Sequence, residues 1–341
     1  MQGRTFWIIG AFMCKKNIYE IGISNFVSMK DTLSLGKKNK YSVWHTQNKD
    51  NIYTASYRLK QKMVTINLPR EVSVKKDDIF FTMGSCFARR LEDILNRKGM
   101  NVPGFSFLLN RRDLFSTMRY VNKYNTYTML YEVEYALGIK NNIYDTIMGS
   151  DKEGYFCCQS VYLGKEDYDT VKKRRDGILK SFSFISKADV IVITLGLTEA
   201  WYDNVSKRFI NYFLPRFMLK EEGRYFHKNI TVEENINNLC LIYEYLKKYN
   251  KNDFKIFITV SPVPLLKTFT NYDVIVANNL SKSILRVAAE KFANLYENVY
   301  YFPSYEIAMF SQREYMFEYD LRHISEQGAE HIINTFLKIY M

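Results

Sequence analysis

The chain has 341 residues, 47% of them hydrophobic and 25% charged, with a formal net charge of +12. That length and apolar content exclude a disordered or fibrous protein and leave room for one large α/β domain with an appendage. No Lys/Arg stretch is interleaved with aromatics as in nucleic-acid readers, so no nucleic-acid partner is expected; the positive balance follows a Lys-, Asn- and Ile-rich composition or attracts an anionic partner such as acidic glycan, a phosphorylated acyl carrier or a membrane surface.

Residues 1 to about 75 are polar and lack sustained periodicity, which predicts an N-terminal extension packing on a main domain over 76–341. Within it Phe6 to Cys14 is a short apolar run behind Arg4, without a small-residue cleavage site. It reads as a buried segment or an extension, with attachment to a membrane surface as a further reading. No apolar stretch reaches the ~20 residues that span a bilayer. The five cysteines, Cys14, Cys86, Cys157, Cys158 and Cys240, are odd in number and lack metal-type spacing. Neither a disulfide framework nor a zinc site is expected, and a reducing, cytoplasmic location fits.

From Asp77 the pattern changes. Ile79 to Met83 is a short apolar run that ends at Gly84-Ser85, and Phe87, Leu91, Ile94 and Leu95 then recur at helical spacing up to Gly99. This predicts a strand, a tight glycine turn and a helix, with Ser85 at the junction. Residues 104–177 are less regular and are expected as an insertion-like cover over the active-site end of the sheet. The run Lys172-Lys173-Arg174-Arg175 reads as a solvated helix face. Ala188 to Leu195 is a second buried strand, stopping at Gly196. Thr231 and Glu234 have the spacing of a capping box, followed by an apolar helical stripe from Ile236 to Leu246. Phe254 to Val260 predicts a third strand, Val274 to Leu295 a long helix, Val299 to Phe302 a last strand, and a final helix begins after Ser325. Strands alternating with helices predict a three-layer α/β/α sandwich around a parallel sheet, with its site beyond the carboxyl ends of the strands. That rule selects Ser85, Gly196 to Glu199, and Ser261.

A Gly-Ser dipeptide alone usually marks a turn or a helix cap. At a strand terminus and a helix N-terminus, however, the free backbone N–H groups can also stabilise an oxyanion, and a serine there needs a base. The chain has four histidines. His323 follows Asp320 by three residues on a loop before the terminal helix, where the carboxylate can fold back and fix the imidazole. His45 and His227 have no orienting carboxylate nearby in sequence, and His331 reads as a packed or exposed helix residue. Glu199 and Trp201 follow the strand end and are expected to face the site, Trp201 packing in the core on the alternative reading. Ser261 is placed to cap the turn at Pro262. Lys282 reads as a helix-face lysine or an anion ligand, and Cys86 as a packed thiol pointing away from the nucleophile. No metal or nucleotide motif is present, so no cofactor is expected.

Gly84-Ser85-Cys86-Phe87-Ala88 resembles the signature of the GSCFA family, a branch related to the SGNH (GDSL-type) hydrolases. Further blocks follow in order: Thr194 to Trp201, Thr259 to Leu265, Ala277 to Arg286, Pro303 to Glu306 and Asp320 to His323. The resemblance implies an SGNH-like, flavodoxin-like fold and a catalytic triad of Ser85, His323 and Asp320. It implies an acyl donor and a carbohydrate or polysaccharide O-acyl group as substrate, with an esterase or O-acyltransferase reaction. In the wider pattern the oxyanion is held by the serine N–H, a glycine N–H and an asparagine. Here Gly84-Ser85 and Gly196 supply the backbone, but Thr198 stands where asparagine belongs. Thr198, or Asn125 in a segment that also resembles the family, is the expected third donor. A glycan-binding or scaffold protein that keeps the fold without catalysis is the alternative.

Overall fold

The computed structural model describes residues 29–69, 72–164, 166–214 and 218–341. The run from Phe6 to Cys14 lies outside the described residues. Nine strands are present among them: β1 (Phe80–Gly84), β2 (Ile147–Ser150), β3 (Gly154–Cys157), β4 (Val190–Leu195), β5 (Glu199–Asp203), β6 (Arg208–Ile210), β7 (Tyr225–Asn229), β8 (Lys255–Val260) and β9 (Val299–Tyr301). The helices are α1 (Met29–Lys38), α2 (Ala55–Arg58), α3 (Cys86–Arg97), α4 (Pro103–Leu109), α5 (Thr126–Ala136), α6 (Tyr168–Ser183), α7 (Val232–Tyr249), α8 (Val274–Leu295), α9 (Ser304–Phe310), α10 (Arg313–Met316) and α11 (Glu326–Tyr340).

The central sheet has four parallel strands in the order β1-β4-β8-β9. Beyond β1, Ile79 makes a one-residue parallel bridge to Asn101, which follows α3. That bridge is a rudimentary fifth strand, so the chain order across the sheet is 2-1-3-4-5, a doubly wound arrangement. Alternate residues of each buried strand feed opposite faces. Phe81, Met83, Ile191, Ile193, Ile256 and Ile258 pack under α5, α6, α7 and α8. Phe80, Val190, Val192 and Phe257 pack under α3, α9 and α11. This is the α/β/α sandwich expected from the alternating pattern. The Thr231–Glu234 capping box is present in both halves, so a local sequence signal sets where α7 begins.

Two expectations about the middle of the chain need correction. The stretch 104–177 is in large part a core layer: Met129, Leu130 and Val133 of α5 and Phe115 are buried in the same cluster as the sheet, and only the part around 119–125 lies over the carboxyl ends of the strands. The run at 172–175 is not a solvated face. Arg175 is fully buried against Glu132 of α5 (2.7 Å), and Arg174 is buried against Glu166. Glu132, 43 residues away in sequence, meets Arg175, and Glu166 meets Arg174, so these two guanidiniums are buried while Lys173 of the same run stays exposed.

Residues 59–69 and 72–74 lie against the C-terminal helices. Val64 and Val74 are buried among α3 and α11 residues, Val74 N donates to Tyr340 O (2.8 Å), and His331 Nε2 bonds Val64 O (2.8 Å). Among the described residues no helix is long and apolar enough to cross a membrane.

Candidate active site

β1, β4 and β8 end together, and their carboxyl ends form the floor of a cavity of about 480 Å³. Gly84 closes β1 with φ +148°, and a Cβ there would stand 2.4 Å from Thr194 O. Only glycine fits that conformation and that approach. The next residue, Ser85, is the N-cap of α3, and its Oγ accepts from Phe87 N (3.4 Å). The strap 122–125 crosses these strand ends: Lys123 N donates to Gly84 O (2.8 Å), and Leu197 N donates to Tyr124 O (3.0 Å). Gly196 must lack a side chain because a Cβ would meet Tyr124 O at 2.7 Å. Asn211 pins the strap from the other side, accepting from Tyr124 N (3.0 Å) and donating to Asn122 O (2.8 Å).

Ser85 and His323 line this one cavity. The loop before α11 carries His323, and Asp320 builds it. Asp320 Oδ1 accepts the backbone N–H of Arg322 (3.0 Å) and of His323 (2.9 Å), while Oδ2 lies 2.6 Å from His323 Nδ1. These backbone bonds, followed by the imidazole, hold the Asp320 carboxyl down at about 2. With Nδ1 donating to a carboxylate, the Nε2 lone pair is the free acceptor of a neutral imidazole. It accepts from Arg322 Nη1 (2.9 Å). Ser85 Oγ in turn shares a hydrogen bond with Ser261 Oγ (3.0 Å). Nucleophile and imidazole are therefore brought to one cavity, each bonded to a neighbour and not to the other.

The two side chains expected as a third oxyanion donor are not available for it. Asn125 caps α5, accepting from Thr128 N (3.0 Å) and donating to Ile210 O (3.3 Å). Thr198 donates its hydroxyl to Asn229 Oδ1 (3.2 Å) and its backbone N–H to Ser281 Oγ (3.0 Å). Both are buried away from the cavity, Asn125 spent on a helix cap and Thr198 on contacts to β7 and α8. Ser261 both accepts from Val263 N (3.3 Å), the turn role expected of it, and touches Ser85. Glu199 reaches the cavity wall, but Thr268 Oγ1 (2.6 Å) and Phe269 N (2.8 Å) bind its two oxygens, so it ties β5 to the loop after β8.

Cys86 also lines the cavity, contrary to the expectation that it points away. Burial pushes its thiol up, with Arg322 and Lys282 opposing. Lys282 is not a surface residue of α8. It is fully buried, and its Nζ donates to Gly196 O (2.7 Å) and Val263 O (2.9 Å), joining the ends of β4 and β8. Burial lowers its amine to about 7.

Glu199 and Trp201 face the cavity as expected, but the sheet that carries them and the other rings of the far wall were not legible in the sequence. β6, β5 and β7 form a separate antiparallel sheet, which sets Trp201 opposite His227. Trp201 packs edge-on against Phe269 (5.0 Å between centroids), and Tyr212 against Tyr124 (5.4 Å) and Phe213 (4.5 Å). The neighbouring strand β5 also gives His227 the carboxylate that its sequence neighbourhood lacks: Nε2 lies 3.3 Å from Glu199 Oε2, outside hydrogen-bond geometry.

No curated protein matches the sequence. The GSCFA family model matches residues 79–336, which takes in β1, Ser85, every strand of the central sheet and the Asp320–His323 loop, and the chain belongs to that family.

Proposed function

We propose that the protein is a serine-dependent esterase or O-acyltransferase of the SGNH type, acting on ester-linked acyl groups of a carbohydrate. The observation that carries this reading is the convergence of Ser85, at a helix N-terminus, and an Asp320-oriented His323 on one cavity. Ser85 Oγ attacks the acyl carbonyl while His323 Nε2 takes its proton. The tetrahedral oxyanion faces the backbone N–H groups at the start of α3 and at Gly196, with the Ser261 hydroxyl in the place left by Thr198 and Asn125. Collapse breaks the ester C–O bond, and the imidazolium gives its proton to the departing sugar oxygen, which leaves as a hydroxyl. Water, or a second hydroxyl, then cleaves the acyl-serine by the same steps in reverse. Asp320 stabilises the imidazolium and stays ionised throughout. The aromatic wall offers flat apolar faces that the C–H faces of a sugar ring can cover.

A fluorophosphonate probe tests this. It should label the wild-type protein and leave Ser85→Ala unlabelled, with 4-nitrophenyl acetate turnover lost in the variant. Equal labelling of both proteins would falsify the assignment of Ser85. A non-catalytic glycan-binding protein is the second reading, favoured by the separate hydrogen bonds of Ser85 and His323; absence of labelling in the wild type, with sugar binding intact, selects it.

A further inference from the structure

The charges around the cavity do not balance. Three cationic side chains line it: Arg119 from the turn Met118–Val121, Lys267 from the loop after β8, and Arg322 beside His323. Among the described residues none of the three is in an ion pair with a carboxylate. Glu199, the carboxylate in the wall, has both oxygens occupied by Thr268 and Phe269. Lys267 extends over the rings of Phe213 and Phe269 (4.9 and 4.5 Å) and is exposed. Arg119 and Arg322 line the same cavity as Ser85, Cys86 and Tyr124. Arg322 has unused capacity as well: its Nε is buried with no hydrogen-bond partner. A buried donor of that kind is costly unless a ligand completes it.

Arg322 also obstructs the chemistry. Its Nη1 occupies the Nε2 lone pair of His323. Nε2 has one lone pair, so it cannot accept from Ser85 while it accepts from Arg322. A planar guanidinium with a free Nε–H and Nη–H edge matches an oxyanion in a two-bond fork.

We propose that the substrate carries an oxyanion, a carboxylate or a phosphate, held by Arg119 and Arg322, and that its binding draws Arg322 off His323 and frees Nε2 for Ser85. The inference rests on the esterase reading for its consequence, since the freed imidazole is the base. An acylated sugar bearing a carboxylate, or one carrying a phosphate, meets the requirement; a neutral acetylated sugar does not. Arg322 is then a binding residue for the anion and a positioning residue for the base.

The full-length Ser85→Ala protein allows binding to be measured without turnover, using trigalacturonate, glucose 6-phosphate and neutral maltotriose as probes in calorimetry. One anionic probe or the other should bind at least tenfold more tightly than maltotriose, and the one that does so identifies the source of the charge. Arg119→Gln and Arg322→Gln, each introduced into this protein, should weaken that binding tenfold or more; Arg119 is exposed, so its replacement keeps the test valid if the Arg322 variant fails to fold. In wild-type protein the bound anion should shift the His323 Nε2 nitrogen resonance, and Arg322→Gln should produce a similar shift without ligand. Equal binding of maltotriose, undiminished anion binding in both variants, or a His323 resonance that ignores the anion each overturns the proposal. Labelling by fluorophosphonate reports separately on the esterase reading. Labelling without anion selectivity removes this proposal alone, and anion binding with no labelling either in the presence or in the absence of the bound anion removes the esterase reading alone.

Discussion

Lys282→Met replaces a fully buried amine by a side chain of similar length, and its effect on stability should depend on pH. Lys282 Nζ has two acceptors, Gly196 O and Val263 O, at 2.7 and 2.9 Å. A neutral amine has two N–H groups and an ammonium three, so the uncharged form fits the site and the charged form leaves one donor without a partner. Burial accordingly lowers the group from 10.5 to about 7, with Arg322 acting in the same direction. In the unfolded chain the amine keeps its proton well above pH 7, whereas the folded chain sheds it near pH 7. Between those values the unfolded state binds more protons, so this group makes the protein more stable as pH rises, and contributes no slope at lower pH where both states are protonated. Integrating one group across this gap gives about 2 kcal/mol of added stability from about pH 7 to about pH 9. The variant lacks that slope, and it also strands two buried carbonyls, each costing about 1–3 kcal/mol, partly offset by no longer burying a polar amine. Urea unfolding of both proteins at several pH values in this range is the assay, read as the wild-type minus variant difference so that thiols and tyrosines cancel to first order. Parallel pH curves for the two proteins would refute the reasoning, because Lys282 would then be charged and solvated in the folded state.

Two further expectations concern the triad loop and the buried charges. Asp320→Asn keeps the loop's size but cannot accept from Nδ1–H and both backbone N–H groups as a carboxylate does; kcat for 4-nitrophenyl acetate should fall on the order of 10⁴-fold, and an unchanged kcat would remove Asp320 from the mechanism. Because Asp320 is held at about 2, its stabilising bonds are complete above the usual carboxylate range and are lost as pH falls toward 2, so it cannot be the source of any activity loss near neutrality. Glu132→Gln leaves Lys123 (2.8 Å) and Arg175 (2.7 Å), both fully buried, without their shared anion. Loss of one partner from a buried ion cluster costs about 3–5 kcal/mol, measurable as a lower urea midpoint, and a change under about 1 kcal/mol would show that the cluster is hydrated.

What was legible in the sequence was local. Short apolar runs ending in glycine gave β1 and β4, the Thr231–Glu234 spacing gave the start of α7, and the Asp320–His323 spacing gave a carboxylate folded onto an imidazole. Each depends on residues within a few positions of one another, where backbone geometry alone decides what can touch. The parallel topology followed from alternation of strands and helices, and with it the placing of Ser85, Gly196 to Glu199, and Ser261 at one end of the sheet.

The tertiary structure decided whatever depended on a partner distant in the chain. Arg175 and Lys282 look like surface residues by type and spacing, and are buried because Glu132 in one case and the carbonyls of Gly196 and Val263 in the other satisfy them. Asn125 and Thr198 have the right chemistry for an oxyanion, yet Thr128, Ile210, Asn229 and Ser281 consume it. Arg322 is next to His323 in sequence, but only the folded loop shows its guanidinium on the imidazole's free nitrogen. Sequence periodicity reports which way a residue faces along its own element; whether a polar group is buried, paired or free to react is settled by the groups that other elements bring to it.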